Sequence, residues 1–285
     1  MPASYDLQGK IALITGAGRG LGASIAKELA SHGASVVVNY AKSVGPAQAL
    51  VDEIQALPGS PKAVAIQADV SKTAEVKRLF EDAIKTFGKI DIVVSNSGME
   101  VFSAEEDVTE ELYDKVFALN TRAQFFVAQH ALIHASEGGR LILTSSVAAT
   151  MNGVPNHALY AGSKSAVEGF TRSFAVDCGK KRMTVNALAP GGILTDMYLE
   201  NSWHYAPGGK PGMPIEEINA GIASLCPLGR TGKPTDVARV VAFLCSDEAE
   251  WVNGTQALLC GFLNLETNFF FRSSHQIERW LSCLV

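Results

Sequence analysis

The stretch "KIALITGAGRGLG" runs from Lys10 to Gly22, and its reading decides the architecture. An apolar, β-branched run meets glycines spaced G-x-x-x-G-x-G, at Gly16, Gly20 and Gly22, and an amphipathic segment follows over 20–32. Glycines at a strand-to-helix turn let the backbone approach a pyrophosphate, whose charge then sits at the positive end of the helix. A tight turn there also wants glycine for conformational reasons alone. The order of strand, glycine turn and helix selects the nucleotide-binding reading.

The same alternation continues along the chain. "SVVVNY" (35–40), "AVAIQA" (63–68), "IDIVVS" (90–95), "RLILTS" (140–145) and "MTVNALA" (183–189) read as strands, with "QALL" (256–259) a weaker seventh. Stretches such as 73–87, 110–135, 157–178 and 233–246 have the length and spacing of helices. Strand and helix repeated this often predict an α/β fold, a doubly wound parallel sheet of about seven strands with helices on both faces. No linker, internal repeat or low-complexity tract divides the chain, so a single domain is expected. The segment 199–215, with "PGGKPG" at 207–212, reads as a loop or lid rather than a strand or helix.

Composition narrows the function. The chain has 285 residues, 47% of them hydrophobic, enough for one large core. Its 24 basic and 29 acidic residues leave a net charge of −5 with no cationic block, which supports neither nucleic-acid binding nor attraction to an anionic membrane. No apolar run reaches membrane-spanning length, and "MPASYDLQGK" lacks the pattern of a secretory signal, so a cytoplasmic protein is expected. The five cysteines form no C-x-x-C; reduced buried thiols are expected and a metal site is not.

The end of the second strand bears on the cofactor. An Asp or Glu there would hold a ribose 2′-hydroxyl, but the stretch is "VVVNYAKS", with Asn39 and Tyr40 and no carboxylate. Arg19 in the glycine loop and Lys42 beyond the strand suit a 2′-phosphate, although Arg19 also reads as an ordinary solvated loop residue. NADP(H) is the expected cofactor. Further on, "YAGSK" sets Tyr160 four residues ahead of Lys164, on one face if helical. Such a pair arises by chance on many helices, but a neighbouring cation also favours phenolate and would lower the tyrosine pKa.

With these motifs in hand, the chain is identified as resembling the short-chain dehydrogenase/reductase family, Rossmann-like and single-domain. "TGAGRGLG" fits its T-G-x-x-x-G-x-G loop, "YAGSK" its Y-x-x-x-K, and "SNSG" (95–98) the turn after the fourth strand. "ADV" (68–70) and "PGGILTD" (190–196) match its adenine and nicotinamide contacts. Within the family it is similar to fungal polyketide reductases of the trihydroxynaphthalene and versicolorin type, through "NTRAQFFVA", "GGRLILTSS", "VPNHALYAGSK", "LTDMY" and "AEWVNG".

The resemblance implies roles residue by residue. Gly16, Arg19, Gly20, Leu21, Gly22, Asn39, Tyr40, Asp69, Asn96, Ile193 and Thr195 would bind the cofactor, together with Tyr160 and Lys164. Ser146, fourteen positions before Tyr160, would polarise a substrate carbonyl, with Ser145 the alternative; Tyr160 would deliver a proton and Lys164 assist it. Asn120, in "FALNTR", would anchor a water leading from Lys164, although an Asn inside a helix also serves as a cap or kink. Tyr205, in "NSWHYAPGG" with Trp203 and His204, would be a lid tyrosine stacking on an aromatic substrate, or would only pack the loop down. His157 reads as a helix-start residue rather than a ligand.

The implied activity is NADPH-dependent reduction of an aromatic or polyketide-derived ketone in secondary-metabolite biosynthesis. Two alternatives are an NADP-dependent alcohol or hydroxysteroid dehydrogenase and a non-catalytic dinucleotide-binding relative. The implied assembly is a homo-oligomer, tetramer or dimer. The pattern departs after "WVNG", where Cys260 and Phe262 replace an expected Asp and Gly. A catalytic domain over 1–262 and an atypical tail over 263–285 are therefore expected.

Overall fold

The computed structural model describes residues 5–59, 61–151 and 153–259. The strands are β1 (Ile11–Ile14), β2 (Ser35–Tyr40), β3 (Ala63–Gln67), β4 (Ile92–Ser95), β5 (Arg140–Thr144), β6 (Thr184–Pro190) and β7 (Gln256–Leu259). They form one parallel sheet in the order β3-β2-β1-β4-β5-β6-β7. The helices are α1 (Gly20–Ser31), α2 (Val44–Gln55), α3 (Thr73–Phe87), α4 (Glu110–Phe117), α5 (Ala123–His134) and α6 (Ala158–Cys178). After β6 come α7 (Asp196–Asn201), α8 (Ile215–Leu225) and α9 (Pro234–Cys245). This is the doubly wound sheet that the alternation predicts.

The strands are apolar on both faces because both faces are covered. Ala12, Ile14, Val36, Val38, Ile92 and Ile142 enter one core with α1, α2 and α9. Their neighbours Leu13, Val37, Val93, Leu141 and Leu143 enter the other, against α3, α5 and α6. Helix α3 shows the logic: Val76, Leu79, Phe80 and Ala83 recur at helical spacing and are buried, and Gly88 ends the helix in a left-handed conformation at φ +83°. A third, small cluster of Tyr198, Ala206, Ile218 and Ile222 lies apart from both cores, around α7 and α8.

Because β1 lies between β2 and β4, the winding reverses at this point, leaving a crevice beyond the carboxyl ends of the strands. Three local expectations are corrected. The single helix expected over 110–135 is split by a π-helical turn at Ala118–Arg122; the wider turn carries the buried Asn120 side chain to Met99 and Ser163. The segment 199–215, read as a loop, begins in α7 and a 3-10 turn at Ser202–His204. Thr195 caps α7 by accepting from the Tyr198 amide at 3.3 Å, and the helix-breaking Pro and Gly begin only at Pro207. Lastly, Cys178 and Cys245 are buried free thiols, but Cys226 is disulfide-bonded, which spacing along a chain does not reveal.

Candidate active site

The glycine loop is shaped by two asparagines. Gly16 and Gly20 adopt φ of +62° and +56°, in the left-handed region open to glycine. A Cβ on Gly22 would lie 2.5 Å from the Gly16 carbonyl oxygen and 2.6 Å from Asn96 Nδ2, so only glycine fits. The Asn96 side chain donates to the carbonyl of Thr15 at 3.0 Å, while its amide donates to Thr15 Oγ1 at 2.9 Å. Asn39 Oδ1 accepts from the Gly16 amide at 3.2 Å, and its Nδ2 donates to the carbonyls of Ile66 and Ala68.

Asn39 is therefore a correction. It was expected to touch the cofactor, but its side chain is buried behind the loop and braces it, outside the cleft lining. Whether a strand-end side chain points into the cleft or behind the loop is not written in the sequence.

A cleft of about 700 Å³ opens above this loop. Arg19, Leu21, Tyr40, Lys42, Asp69, Asn96, Ile193 and Thr195 line it together with Gly16, Gly20 and Gly22. Arg19 is 77% exposed and stands 3.5 Å from Asp196 across the opening. Between Tyr40 and Ser43 the lining offers Lys42 and no acid. The glycine-rich loop and these two cations fit a dinucleotide bearing a 2′-phosphate.

At the other end of the same cleft stand Ser146, Tyr160 and Lys164. Tyr160 and Lys164 lie on the first turns of α6, buried, with the ammonium 5.8 Å from the centre of the phenol ring. Lys164 Nζ donates to the Thr144 carbonyl at 2.8 Å. Burial lowers its pKa to about 8, against the pull of the Glu100 carboxylate.

The tyrosine departs from expectation. Burial raises the Tyr160 pKa well above its usual value, the Glu100 carboxylate adds to the rise, and a hydrogen bond with the Ser146 hydroxyl opposes it. Lys164 does not reverse this, because its ammonium points to Thr144 and is itself desolvated.

Of the two serines, Ser145 is occupied, donating to the Lys164 carbonyl at 3.2 Å and to Glu168 at 3.1 Å. Ser146 Oγ accepts from the Ala148 amide at 3.2 Å and reaches the Tyr160 phenol. Asn120 is outside the cleft lining: it pairs with both backbone groups of Met99, at 2.9 and 2.8 Å, and donates to Ser163 at 3.1 Å. Its Oδ1 and Lys164 Nζ both border Gly98, where a Cβ would lie 3.3 Å from each.

Around Tyr205 stand two residues that sequence reasoning missed, Glu100 and Phe102. Tyr205, at the end of the 3-10 turn, donates its hydroxyl to Glu100 Oε1 and lies 3.2 Å from His157 Nε2. His157 is 3.3 Å from the same carboxylate oxygen, and the two side chains are 2% and 9% exposed. Phe102 stacks between His157, at 4.2 Å, and His204, at 3.6 Å; His157 in turn lies over Tyr160 at 4.8 Å. Of the two roles open to Tyr205, these contacts serve the packing of the loop, since its hydroxyl is tied to Glu100. His157 does start α6, but it also faces the site. The available signal was "GMEVF" (98–102), where a lone acid interrupts an apolar run after the "SNSG" turn.

These features define a dinucleotide-binding α/β fold with a Ser–Tyr–Lys group at the carboxyl edge of its sheet. Residues 16–261 match the family described as Enoyl-(Acyl carrier protein) reductase. The chain is 66% identical over 256 residues to "Hydroxynaphthalene reductase-like protein Arp2" of Metarhizium robertsii, covering 90% of this chain and 95% of that one. It is 64% identical over 252 residues to "Tetrahydroxynaphthalene reductase PfmaG" of Pestalotiopsis fici, covering 88% and 90%. Among solved structures, a short-chain dehydrogenase from Burkholderia cenocepacia in complex with NADP superposes with a TM-score of 0.80 at 37% identity, over 90% of this chain and 98% of that one. The chain belongs to the short-chain dehydrogenase/reductase family.

Proposed function

We propose that this protein is an NADPH-dependent reductase of a ketone on an aromatic or polyketide-derived ring system. The observation that carries the reading is one cleft with the glycine loop and two cations at one end and Ser146, Tyr160 and Lys164 at the other. The named hydroxynaphthalene reductases and the NADP-bound relative support substrate class and cofactor.

The bound nicotinamide supplies a hydride to the carbonyl carbon. Ser146 donates a hydrogen bond to the carbonyl oxygen as negative charge grows on it, and Tyr160 delivers the proton. Lys164 keeps a mobile charge beside Tyr160, and Asn120 fixes the backbone around it. Arg19 and Lys42 would hold the 2′-phosphate, Tyr40 and Asp69 the adenosine, and Ile193 and Thr195 the nicotinamide, while Leu21 and Asn96 belong to the loop that would cradle the pyrophosphate. Asn39 binds the loop rather than the cofactor.

The proposal extends to a cytoplasmic homo-oligomer, tetramer or dimer; Trp251, 97% exposed, and the exposed Val176 and Leu258 support burial in a subunit contact. Among the described residues no helix is long and apolar enough to cross a membrane. Residues 1–262 would form the catalytic domain; the tail over 263–285, with Cys260 and Phe262 before it, lies outside the described residues. A chain ended at Gly261 is expected to fold and bind NADPH with altered association, by light scattering and cofactor titration. The deciding experiment follows NADPH oxidation with hydroxynaphthalenes, hydroxyanthraquinones and steroids. Turnover confined to steroids, or none at all, refutes the reading.

A further inference from the structure

Glu100 is the one acid in the cleft wall beside Tyr160 that the reduction itself does not use. Its Oε1 is doubly engaged, by the Tyr205 hydroxyl and by His157 Nε2 at 3.3 Å. Among the described residues nothing donates to its Oε2. Nor is that oxygen sealed in: the fully buried, unpartnered side-chain atoms are His130 Nδ1, Thr144 Oγ1, Thr184 Oγ1 and Ser202 Oγ. Glu100 lines the cleft, and its partner His157 stacks on Tyr160 at 4.8 Å.

A carboxylate oxygen beside the cleft, with no donor among the described residues, calls for one from whatever occupies the cleft. Holding Tyr205 alone would need only a single acceptor, which a glutamine amide also supplies. A carboxylate differs in that both its oxygens accept and neither donates, so it attracts O–H and repels a carbonyl or ether oxygen. Of the aromatic side chains around it, Tyr205 lines the cleft, and Phe102 meets it edge-on at 5.6 Å.

We propose that Glu100 is a specificity-determining residue whose Oε2 accepts a hydrogen bond from a hydroxyl on the ring system of the substrate, so that the enzyme selects hydroxylated over unsubstituted or alkylated rings. This rests on the reductase reading above and adds the group that recognises the ring. Glu100 binds the substrate; it takes no part in the hydride or proton step.

The test compares NADPH-dependent kcat/KM for 2-tetralone, its ring-hydroxylated isomers and their methyl ethers, in wild type, Glu100→Gln and Glu100→Ala. Wild type should favour at least one hydroxylated isomer over both the parent and its ether by about 10- to 100-fold, the worth of a charge-assisted hydrogen bond. In Glu100→Gln and Glu100→Ala, checked for folding by circular dichroism and NADPH fluorescence, that ratio should fall at least about fivefold, chiefly through KM. Equal rates for hydroxylated and methylated rings in wild type overturn the proposal without any variant. So does a hydroxyl preference that survives in both variants. If wild type binds NADPH but reduces neither these ketones nor the hydroxynaphthalenes and hydroxyanthraquinones, the reductase reading fails and takes this inference with it; turnover of the latter with none of the hydroxylated tetralones overturns the inference alone.

Discussion

Replacing Lys164 with methionine should stabilise the protein while removing its activity. The lysine is 3% exposed, and its pKa falls from 10.5 to about 8. That gap corresponds to about 3 kcal/mol of folding free energy lost at neutral pH, where the side chain is charged in both states. Methionine fills similar space without the charge. It forfeits the hydrogen bond to the Thr144 carbonyl, worth about 1 kcal/mol, but Gln124 Nε2 still donates to that oxygen at 2.7 Å.

The net gain is about 2 kcal/mol, or about 4–8 °C in Tm for a chain of this size. The sign with pH follows from the lowered folded-state pKa. Below about pH 8 the cost is fully present. As pH rises through 10.5 the folded state releases its proton first, so wild type recovers stability and the two proteins converge. Thermal unfolding of both cofactor-free proteins between pH 7 and 10 reads this directly. A variant less stable than wild type at pH 7, or a difference constant with pH, refutes the reasoning.

Tyr160→Phe should keep NADPH affinity in fluorescence titration and lose at least about 10²-fold in kcat, the worth of a general acid. Because Arg19 meets only a loose, exposed partner in Asp196, Arg19→Ala should leave Tm unchanged within error. It should narrow the preference for NADPH over NADH by about 1.5–3 kcal/mol, read by calorimetry with both cofactors. Asn39→Ala should cost about 1–3 kcal/mol in denaturant unfolding, since it strips partners from the buried carbonyls of Ile66 and Ala68. It should weaken NADPH and NADH alike, which a direct contact with the 2′-phosphate would not do.

The sheet was legible because its strands are short, apolar on both faces and separated by helical spacing; β2 and β7 have the bounds the sequence suggests. Helix α2 was harder to see, with Gly45 and Pro46 in its opening turn, although Ala47, Leu50, Val51 and Ile54 keep the spacing of a buried face. At the site, sequence order places Ser146, Tyr160 and Lys164 in one cleft because β5 ends and α6 begins at the same sheet edge. Side-chain direction was not legible. Asn39 turns away from the cleft and Glu100 lines it, and both depend on packing between segments far apart in the chain. The shift of Tyr160 was also hidden, since a neighbouring lysine is visible in a sequence and desolvation is not.

The separate cluster of Tyr198, Ala206, Ile218 and Ile222 gives the cleft a door with its own small keel. Swinging α7 and α8 outward breaks the Glu100–Tyr205 hydrogen bond and the Phe102–His204 stack, while the two cores on the sheet stay closed. Substrate entry and global unfolding therefore draw on different sets of contacts, so mutations that loosen the entrance can alter turnover without lowering the melting temperature. Amide hydrogen exchange should divide along that line, fast across 196–225 and slow in β1, β4 and β5.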